Sequence, residues 1–215
     1  MGVDAADINN DLLNDVMVLD MVAENNYRLK ANMSAMDVDT FWDVVDEEGH
    51  YQYMFNTLQL NHGVDSFSDV AQLTGMAATD WSWANLIADF NNDGHKDVFI
   101  TNGLLRDIRN TDADKKIGEF VLDFANDYVK ENPNQGDIQI MDILDLEKVL
   151  SLLPSVPLSN YMYQNHGNLS FQNVTNSWGL NQPTFSNGAA YGDLDNDGDL
   201  EIVINNEILG LIRLT

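Results

Sequence analysis

Residues 61–102, NHGVDSFSDVAQLTGMAATDWSWANLIADFNNDGHKDVFITN, align without a gap to residues 165–206, NHGNLSFQNVTNSWGLNQPTFSNGAAYGDLDNDGDLEIVINN. The offset between the two segments is 104 residues throughout. A third, shorter copy, DINNDLLNDVMVLD at residues 7–20, matches only the last loop and strand of the unit. A fixed period of this kind predicts a repeat architecture, in which neighbouring units share one core.

Each complete copy alternates strand patterns with turn signals, in the order strand, turn, strand, turn, strand, acidic loop, strand. Just upstream, YQYMFNTLQLN and YMYQN have the aromatic and polar alternation of strands that enter each copy through the Asn-His-Gly turn. Four short strands are roughly the content of one blade of a β-propeller. The sequence therefore predicts a mainly β fold with about two and a half partial propeller blades.

A segment of different character separates the two full copies. It contains apolar residues at helical spacing after an acidic start at Asp112 and Asp114, and a second helix is expected from Leu144 to Leu153, ended by Pro154. The apolar stripe of the first helix comprises Ile117, Phe120, Val121, Phe124 and Tyr128. We divide the chain into a truncated blade (1–20), a connecting segment (21–50), a blade (51–104), a small helical insertion (105–159) and a second blade (160–215).

Three acidic loops carry oxygen-bearing side chains at positions one, three, five and nine, and position seven can add its backbone carbonyl. Calcium takes about six to eight oxygen ligands at roughly 2.3–2.6 Å, which a coiled loop of nine residues can supply, whereas magnesium prefers a rigid octahedron. We therefore predict two to three Ca2+ ions. The predicted ligands are Asp7, Asn9, Asp11, Leu13 and Asp15; Asp89, Asn91, Asp93, His95 and Asp97; and Asp193, Asp195, Asp197, Asp199 and Glu201.

Two further positions indicate a common loop shape. Position four is asparagine in all three loops, and position six is glycine in the second and third, where the chain must turn sharply. The first loop has Leu12 at position six, which puts its occupancy by metal in question.

The main alternative metal site, a helix-loop-helix, needs an acidic ligand at position twelve and a following helix. Position twelve is Val18, Ile100 or Ile204, and the following sequences are typical of strands. The other alternative is that these loops are ordinary solvated turns.

The composition limits the possible partners. Thirty-five acidic residues against ten basic ones give a formal charge of −25, which disfavours nucleic acid and anionic membranes and favours cations. The chain has no cysteine, so disulfides and thiolate sites are excluded. It also lacks a signal-peptide pattern and any run of eighteen apolar residues, so no membrane insertion is expected.

The segments ADFNNDGHKDVFITNG and YGDLDNDGDLEIVINN, the stretch FSNGAAYGD and the preceding NTLQLNHGVDSFSDVAQLTG resemble FG-GAP and VCBS-type repeats, whose blades carry calcium loops like those of integrin α-subunits. The segments DMVAENNYRLK, ATDWSWA and LPSVPLSNYMYQN are similar to bacterial outer-surface proteins that combine such repeats with an ASPIC/UnbV region. No such region is visible here, so we expect a fragment of a longer protein. The resemblance implies a β-propeller, calcium in the blade loops, an extracytoplasmic location and a role in adhesion or in binding surface ligands such as glycans.

Three functions remain open at this stage. The first is a calcium-binding module for extracellular binding, adhesion or scaffolding, with a protein or glycan ligand and the rest of the parent propeller as partners. The second is part of a secreted polysaccharide lyase or glycoside hydrolase, and the third is a purely structural repeat. An enzyme would draw on His50, His62, His95 and His166, or on Asp107 and Asp112. No pattern places these groups together, so we predict no catalytic residues and no enzyme activity.

Overall fold

The computed structural model describes residues 1–32, 38–47, 49–51, 53–133, 139–207 and 210–214. The strands in chain order are β1 (Val3–Ala6), β2 (Asp15–Val18), β3 (Met21–Val22), β4 (Thr57–Asn61), β5 (Phe67–Asp69), β6 (Asp80–Ala88), β7 (Asp97–Asn102), β8 (Tyr161–Asn165), β9 (Phe171–Asn173), β10 (Ser186–Gly192), β11 (Glu201–Asn206) and β12 (Gly210–Leu214). The α-helices are α1 (Asn26–Asn32), α2 (Val38–Asp46), α3 (Thr111–Glu131) and α4 (Leu146–Ser151), and a 3-10 helix spans Ile140–Asp142.

Within the described residues, the strands form three antiparallel sheets, in the orders β1-β2-β4-β5, β3-β6-β7-β8-β9 and β10-β11-β12. Each sheet contains a pair of strands joined by an acidic loop, and the first two also contain a hairpin closed by an Asn-His-Gly turn. The predicted mainly β fold with partial propeller blades and a small helical part is confirmed.

The boundaries of the sheets do not coincide with the boundaries of the sequence repeat. The segment 51–104 contains strands of two sheets, because β4 and β5 complete the first sheet whereas β6 and β7 begin the second. The segment 160–215 is divided in the same way, between the second sheet and the third. The first copy also extends further than the predicted loop and strand, because β1 precedes its loop and pairs with β2.

Strand β7 shows how the sheets stack. All six of its residues are buried, as expected for a strand with a sheet on each side. Val98 and Ile100 pack into one apolar cluster with Met17 and Leu58 of the first sheet. Phe99, on the other face, packs with residues of the third sheet, such as Ile202. Successive side chains of a strand point to opposite faces, so one strand connects two cores.

Helices α3 and α4 begin where the sequence supplies caps. The side chain of Asn110 accepts a hydrogen bond from Ala113 N at 3.0 Å at the start of α3, and Asp145 caps α4 through Lys148 N at 3.1 Å. Helix α4 ends three residues before Pro154. Of the residues of α3, Ala113 is buried, and the apolar stripe predicted for this helix is half-buried.

Candidate metal centres

The three acidic loops connect equivalent strand pairs and lie next to one another. They join β1 to β2, β6 to β7 and β10 to β11. The Nδ2 of Asn10 donates to the carbonyl oxygen of Gly94 at 3.0 Å, and the Nδ2 of Asn92 donates to the Oδ1 of Asp199 at 2.6 Å. The asparagine at position four therefore links each of the first two loops to the next.

One hydrogen-bond pattern shapes all three loops. In the second loop, the two carboxylate oxygens of Asp89 accept from Asp93 N at 3.0 Å and Gly94 N at 2.8 Å, and Asp93 Oδ1 accepts from His95 N at 2.8 Å. Asp7 and Asp11 make the same bonds in the first loop, as do Asp193 and Asp197 in the third. The carboxylates at positions one and five thus hold the backbone in a coil around their own side chains.

The backbone dihedrals agree with the predicted turn residues. Position four has a positive φ in every loop, at 62° in Asn10, 57° in Asn92 and 63° in Asn196. Position six also has a positive φ, of 87° in Gly94 and 98° in Gly198. Leu12 adopts the same conformation, with φ of 73°, although leucine is disfavoured there. Its side chain is 92% exposed, so backbone conformation rather than crowding is the source of strain.

Position three distinguishes the third loop. The amides of Asn9 and Asn91 donate to the position-five carboxylates at 2.9 Å. The third loop has Asp195 instead, and the carboxylates of Asp193, Asp195 and Asp197 each place an oxygen within 4.8 Å of the others. Within the described chain, this is the group of acidic side chains whose spacing suits a metal ion. Three exposed negative groups so close together repel one another unless a cation lies between them.

Hydrogen bonding also affects the acidity of the second loop. The backbone N–H of His95 lowers the pKa of Asp93, because a donated hydrogen bond favours the charged carboxylate. Asp93 therefore stays ionised and available to a cation over the whole physiological range.

The residue at position nine is buried, unlike the exposed groups at position five. Asp15 and Asp97 are fully buried and Glu201 is 3% exposed. Each carboxylate accepts from the backbone N–H at position two of its own loop, namely Ile8 at 2.9 Å, Phe90 at 3.2 Å and Leu194 at 2.7 Å. Position nine thus closes the loop onto the start of the following strand, and it lies outside the carboxylate cluster of the third loop.

Burial changes the acidity of position nine in the second loop. Desolvation raises the pKa of Asp97 to about 6, against the opposing effect of the hydrogen bonds from Asn165 N and Phe90 N. The predicted ligand roles of position nine, and of the position-seven carbonyls of Leu13, His95 and Asp199, stay predictions.

Two asparagines that the sequence analysis did not assign to the loops connect them to the next hairpin. Asn61 N donates to Asp15 Oδ1 at 2.8 Å, and Asn165 N donates to Asp97 Oδ1 at 2.9 Å. The Nδ2 of Asn165 also bonds the carbonyl oxygens of Ile8 and Lys96, both at 3.0 Å, and so joins the first two loops. Part of the signal was present, because both asparagines open an Asn-His-Gly motif, but they follow position nine by 46 residues in one case and by 68 in the other.

Three of the groups considered for catalysis, His62, His166 and Asp107, have partners within the described residues. His62 contacts Ser68 Oγ at 2.9 Å and His166 contacts Gln172 Oε1 at 3.2 Å, each within its own hairpin. Asp107 is 2% exposed and forms an ion pair with Arg28 at 3.1 Å. The prediction of no enzyme activity stays a prediction.

Residues 149–204 match the family model of the FG-GAP-like repeat. The chain carries one FG-GAP-like repeat in this segment. The repeat begins in α4 and runs through the second Asn-His-Gly hairpin and the third acidic loop into β11, so it contains the carboxylate cluster. No curated protein matches the chain. Among the described helices, none is both long and apolar enough to cross a membrane.

Proposed function

We propose that this chain is a calcium-binding β-propeller repeat module that serves extracellular binding, adhesion or scaffolding. Calcium at the acidic loops would rigidify one end of each blade and hold the adjacent loops in fixed positions. The partner would be a protein or glycan ligand together with the remaining blades of a parent propeller. An FG-GAP-like repeat supports this proposal, because such repeats generally bind calcium and are typical of extracellular proteins.

The observation that carries the proposal is the convergence of Asp193, Asp195 and Asp197 in a loop whose backbone is already coiled. Hard carboxylate oxygens at this spacing are the ligands that calcium prefers, and the loop is exposed, so an ion can enter from solvent. The position-one and position-five carboxylates of the other two loops have the same hydrogen bonds, which supports binding there with one fewer negative charge.

The net charge of −25 adds a second argument. Self-repulsion destabilises a compact acidic protein, and bound divalent cations reduce it. Open sheet edges support the parent-propeller part of the proposal, because unpaired backbone groups invite pairing with further strands.

Calorimetric titration of the chelator-stripped chain with calcium, and separately with magnesium, tests the metal sites. We expect two or three calcium-selective sites with dissociation constants of about 10⁻⁴ to 10⁻³ M, as in other extracellular modules. The triple variant Asp193→Asn, Asp195→Asn, Asp197→Asn should lose one site. Its matched control, Glu119→Gln, Asp123→Asn, Asp142→Asn, removes the same charge from exposed positions outside the loops and should keep every site. Calcium binding that is absent, or equal in the two triple variants, would contradict the proposal.

A further inference from the structure

A cleft lies at the end of the second sheet opposite its metal loop. Its walls include the start of β6 at Asp80, the end of β7 at Asn102 and the start of β8 at Tyr161, whereas the metal loop joins the end of β6 to the start of β7. The cavity volume is about 910 Å³, which is within the range of small-molecule sites. Glu24, Asn25, Asn26 and Arg28, at and just before the start of α1, close one side of the cleft.

The charged side chains in this cleft all have partners within the chain, and the three carboxylates outnumber the one guanidinium, so the cleft is net negative. Arg28 is 9% exposed and binds both Asp80, at 2.6 and 2.9 Å, and Asp107, at 3.1 and 3.2 Å. The carboxylate of Glu24 accepts a hydrogen bond from the hydroxyl of Tyr161 at 3.0 Å. The one guanidinium is therefore already paired with two carboxylates and is not available to an anionic ligand. The strongly acidic chain would also repel such a ligand.

The remaining lining is rich in neutral amides. Seven of the fourteen lining residues are asparagines, and Leu158 is the one lining residue without a polar side-chain group. The seven are Asn25, Asn26, Asn102, Asn160, Asn173, Asn176 and Asn181. Each amide offers two donors and a carbonyl acceptor, which matches ligands whose neighbouring hydroxyls both donate and accept. An apolar ligand would leave these groups unpaired.

Asn160 is the most informative of these side chains. The residue is 5% exposed, and its Oδ1 accepts from Asn102 N at 2.9 Å, which fixes the orientation of the amide. Its Nδ2 has no hydrogen-bond partner in the part of the chain that the structure describes, yet it is not sealed from the cleft. A buried amide donor that is held in place and left unpaired favours an acceptor on a ligand.

The other available groups surround Asn160. Asn26, Asn176 and Asn181 are exposed, and their side-chain amides have no intramolecular partner among the described residues. The half-buried ring of Tyr161 stacks against Tyr163 at a centroid distance of 5.8 Å and packs against the apolar cluster of the first two sheets, so its position is fixed where it lines the cleft. A held aromatic ring beside amide groups gives a pyranose both an apolar surface and hydrogen-bond partners.

We propose that this cleft binds an uncharged oligosaccharide. The inference rests on the proposed function only in treating the chain as a binding module, because the cleft and the calcium loops lie at opposite ends of the sheet. Asn160, Asn176 and Asn181 provide amide contacts to hydroxyl groups, Tyr161 provides the ring, and the Arg28 ion pairs hold α1 against the sheet.

The test uses the full chain in millimolar calcium and immobilised oligosaccharides of glucose, mannose, galactose and N-acetylglucosamine, with oligogalacturonate as the anionic probe. Neutral oligosaccharides that bind are then titrated by calorimetry. We expect the double variant Asn176→Ala, Asn181→Ala to weaken binding at least tenfold, and Tyr161→Ala to weaken it by a similar factor, with melting temperatures checked for both. Asn126→Ala removes an exposed asparagine of α3 outside the cleft and should change affinity less than twofold.

The results of these experiments distinguish a failure of the cleft proposal from a failure of the calcium proposal. The cleft proposal is overturned if no neutral oligosaccharide binds the folded chain, if oligogalacturonate binds as well as the neutral sugars, or if Asn176→Ala, Asn181→Ala behaves like Asn126→Ala. Sugar binding that persists when no calcium binds would contradict the metal sites and leave the cleft standing. Calcium binding without sugar binding would do the reverse.

Discussion

The first and third acidic loops have the same backbone but a different chemistry. Both have positive φ angles at positions four and six, and in both the position-one carboxylate accepts from the backbone N–H groups of positions five and six. The third loop has Asp195 at position three and Gly198 at position six, whereas the first has Asn9 and a strained Leu12. Loop shape and loop charge are therefore set by different residues, and each can be changed separately.

The largest expected effect concerns the buried carboxylate that closes the first loop. Asp15→Ala removes the acceptor for Ile8 N, which is buried and left unsatisfied, and the acceptor for Asn61 N, which is partly buried. We expect a loss of about 2–4 kcal/mol in the free energy of unfolding, with or without calcium. Urea unfolding in excess chelator measures this loss. The control, Asp123→Ala at an exposed position of α3, should change the free energy of unfolding by no more than about 0.5 kcal/mol. Equal losses in the two variants would show that position nine does not hold the loop.

Exchanging position three tests whether charge sets the affinity. Asp195→Asn gives the third loop the Asp-Asn-Asp set of the second, so its calcium affinity should fall on the order of tenfold. Asn9→Asp should raise the affinity of the first loop by a similar factor. Calorimetric titration of both variants measures the change. If neither variant shifts calcium affinity, side-chain charge at position three is not what distinguishes these loops.

Leu12→Gly relieves the unfavourable φ of the first loop. The left-handed conformation costs a non-glycine residue roughly 1–2 kcal/mol, and the greater freedom of glycine in the unfolded chain offsets part of the gain. We expect about 0.5–1 kcal/mol of stabilisation in thermal melts. Gly198→Ala is the reverse change in the third loop, where an added Cβ meets no atom within 4 Å, so any loss there reports backbone strain alone. A destabilised Leu12→Gly variant would contradict this explanation.

An effect of similar size is expected from removing the hydrogen bond between neighbouring loops. Asn92→Gly keeps a residue that tolerates a positive φ and removes the hydrogen bond to Asp199. Stability should fall by about 0.5–1 kcal/mol, as for a single hydrogen bond. Asn196→Gly, at the same position of the third loop, is the matched control because its side chain has no hydrogen bond within the described residues. Identical melts for the two variants would show that the contact contributes nothing.

Local sequence patterns predicted the loop geometry well. The shared asparagine at position four and the glycine at position six correspond to the residues with positive φ, because only certain side chains tolerate that conformation. The burial of the position-nine side chain was not predictable, because a carboxylate at the start of a strand can point to solvent or to the core. Asp15, Asp97 and Glu201 were expected as ligands, and the hydrogen bonds that close their loops were not.

The sequence pattern also did not predict where one sheet ends and the next begins. A repeat of 104 residues fixes the period but not where one unit ends, so β4 and β5 could equally belong with the loop before or after them. The hydrogen bond from Asn61 N to Asp15 Oδ1 shows that β4 and β5 belong with the loop before them. The cleft was missed for a related reason, because Asn26, Asn160 and Asn181 come from segments far apart in the chain.

The most direct test of calcium binding is a crystal structure grown in millimolar calcium, with anomalous scattering used to locate the ions. We predict a cation in the third loop, about 2.3–2.6 Å from oxygens of Asp193, Asp195 and Asp197, with the loop backbone unchanged. An empty third loop at that calcium concentration, with the three carboxylates turned apart into solvent, would contradict calcium binding at this loop.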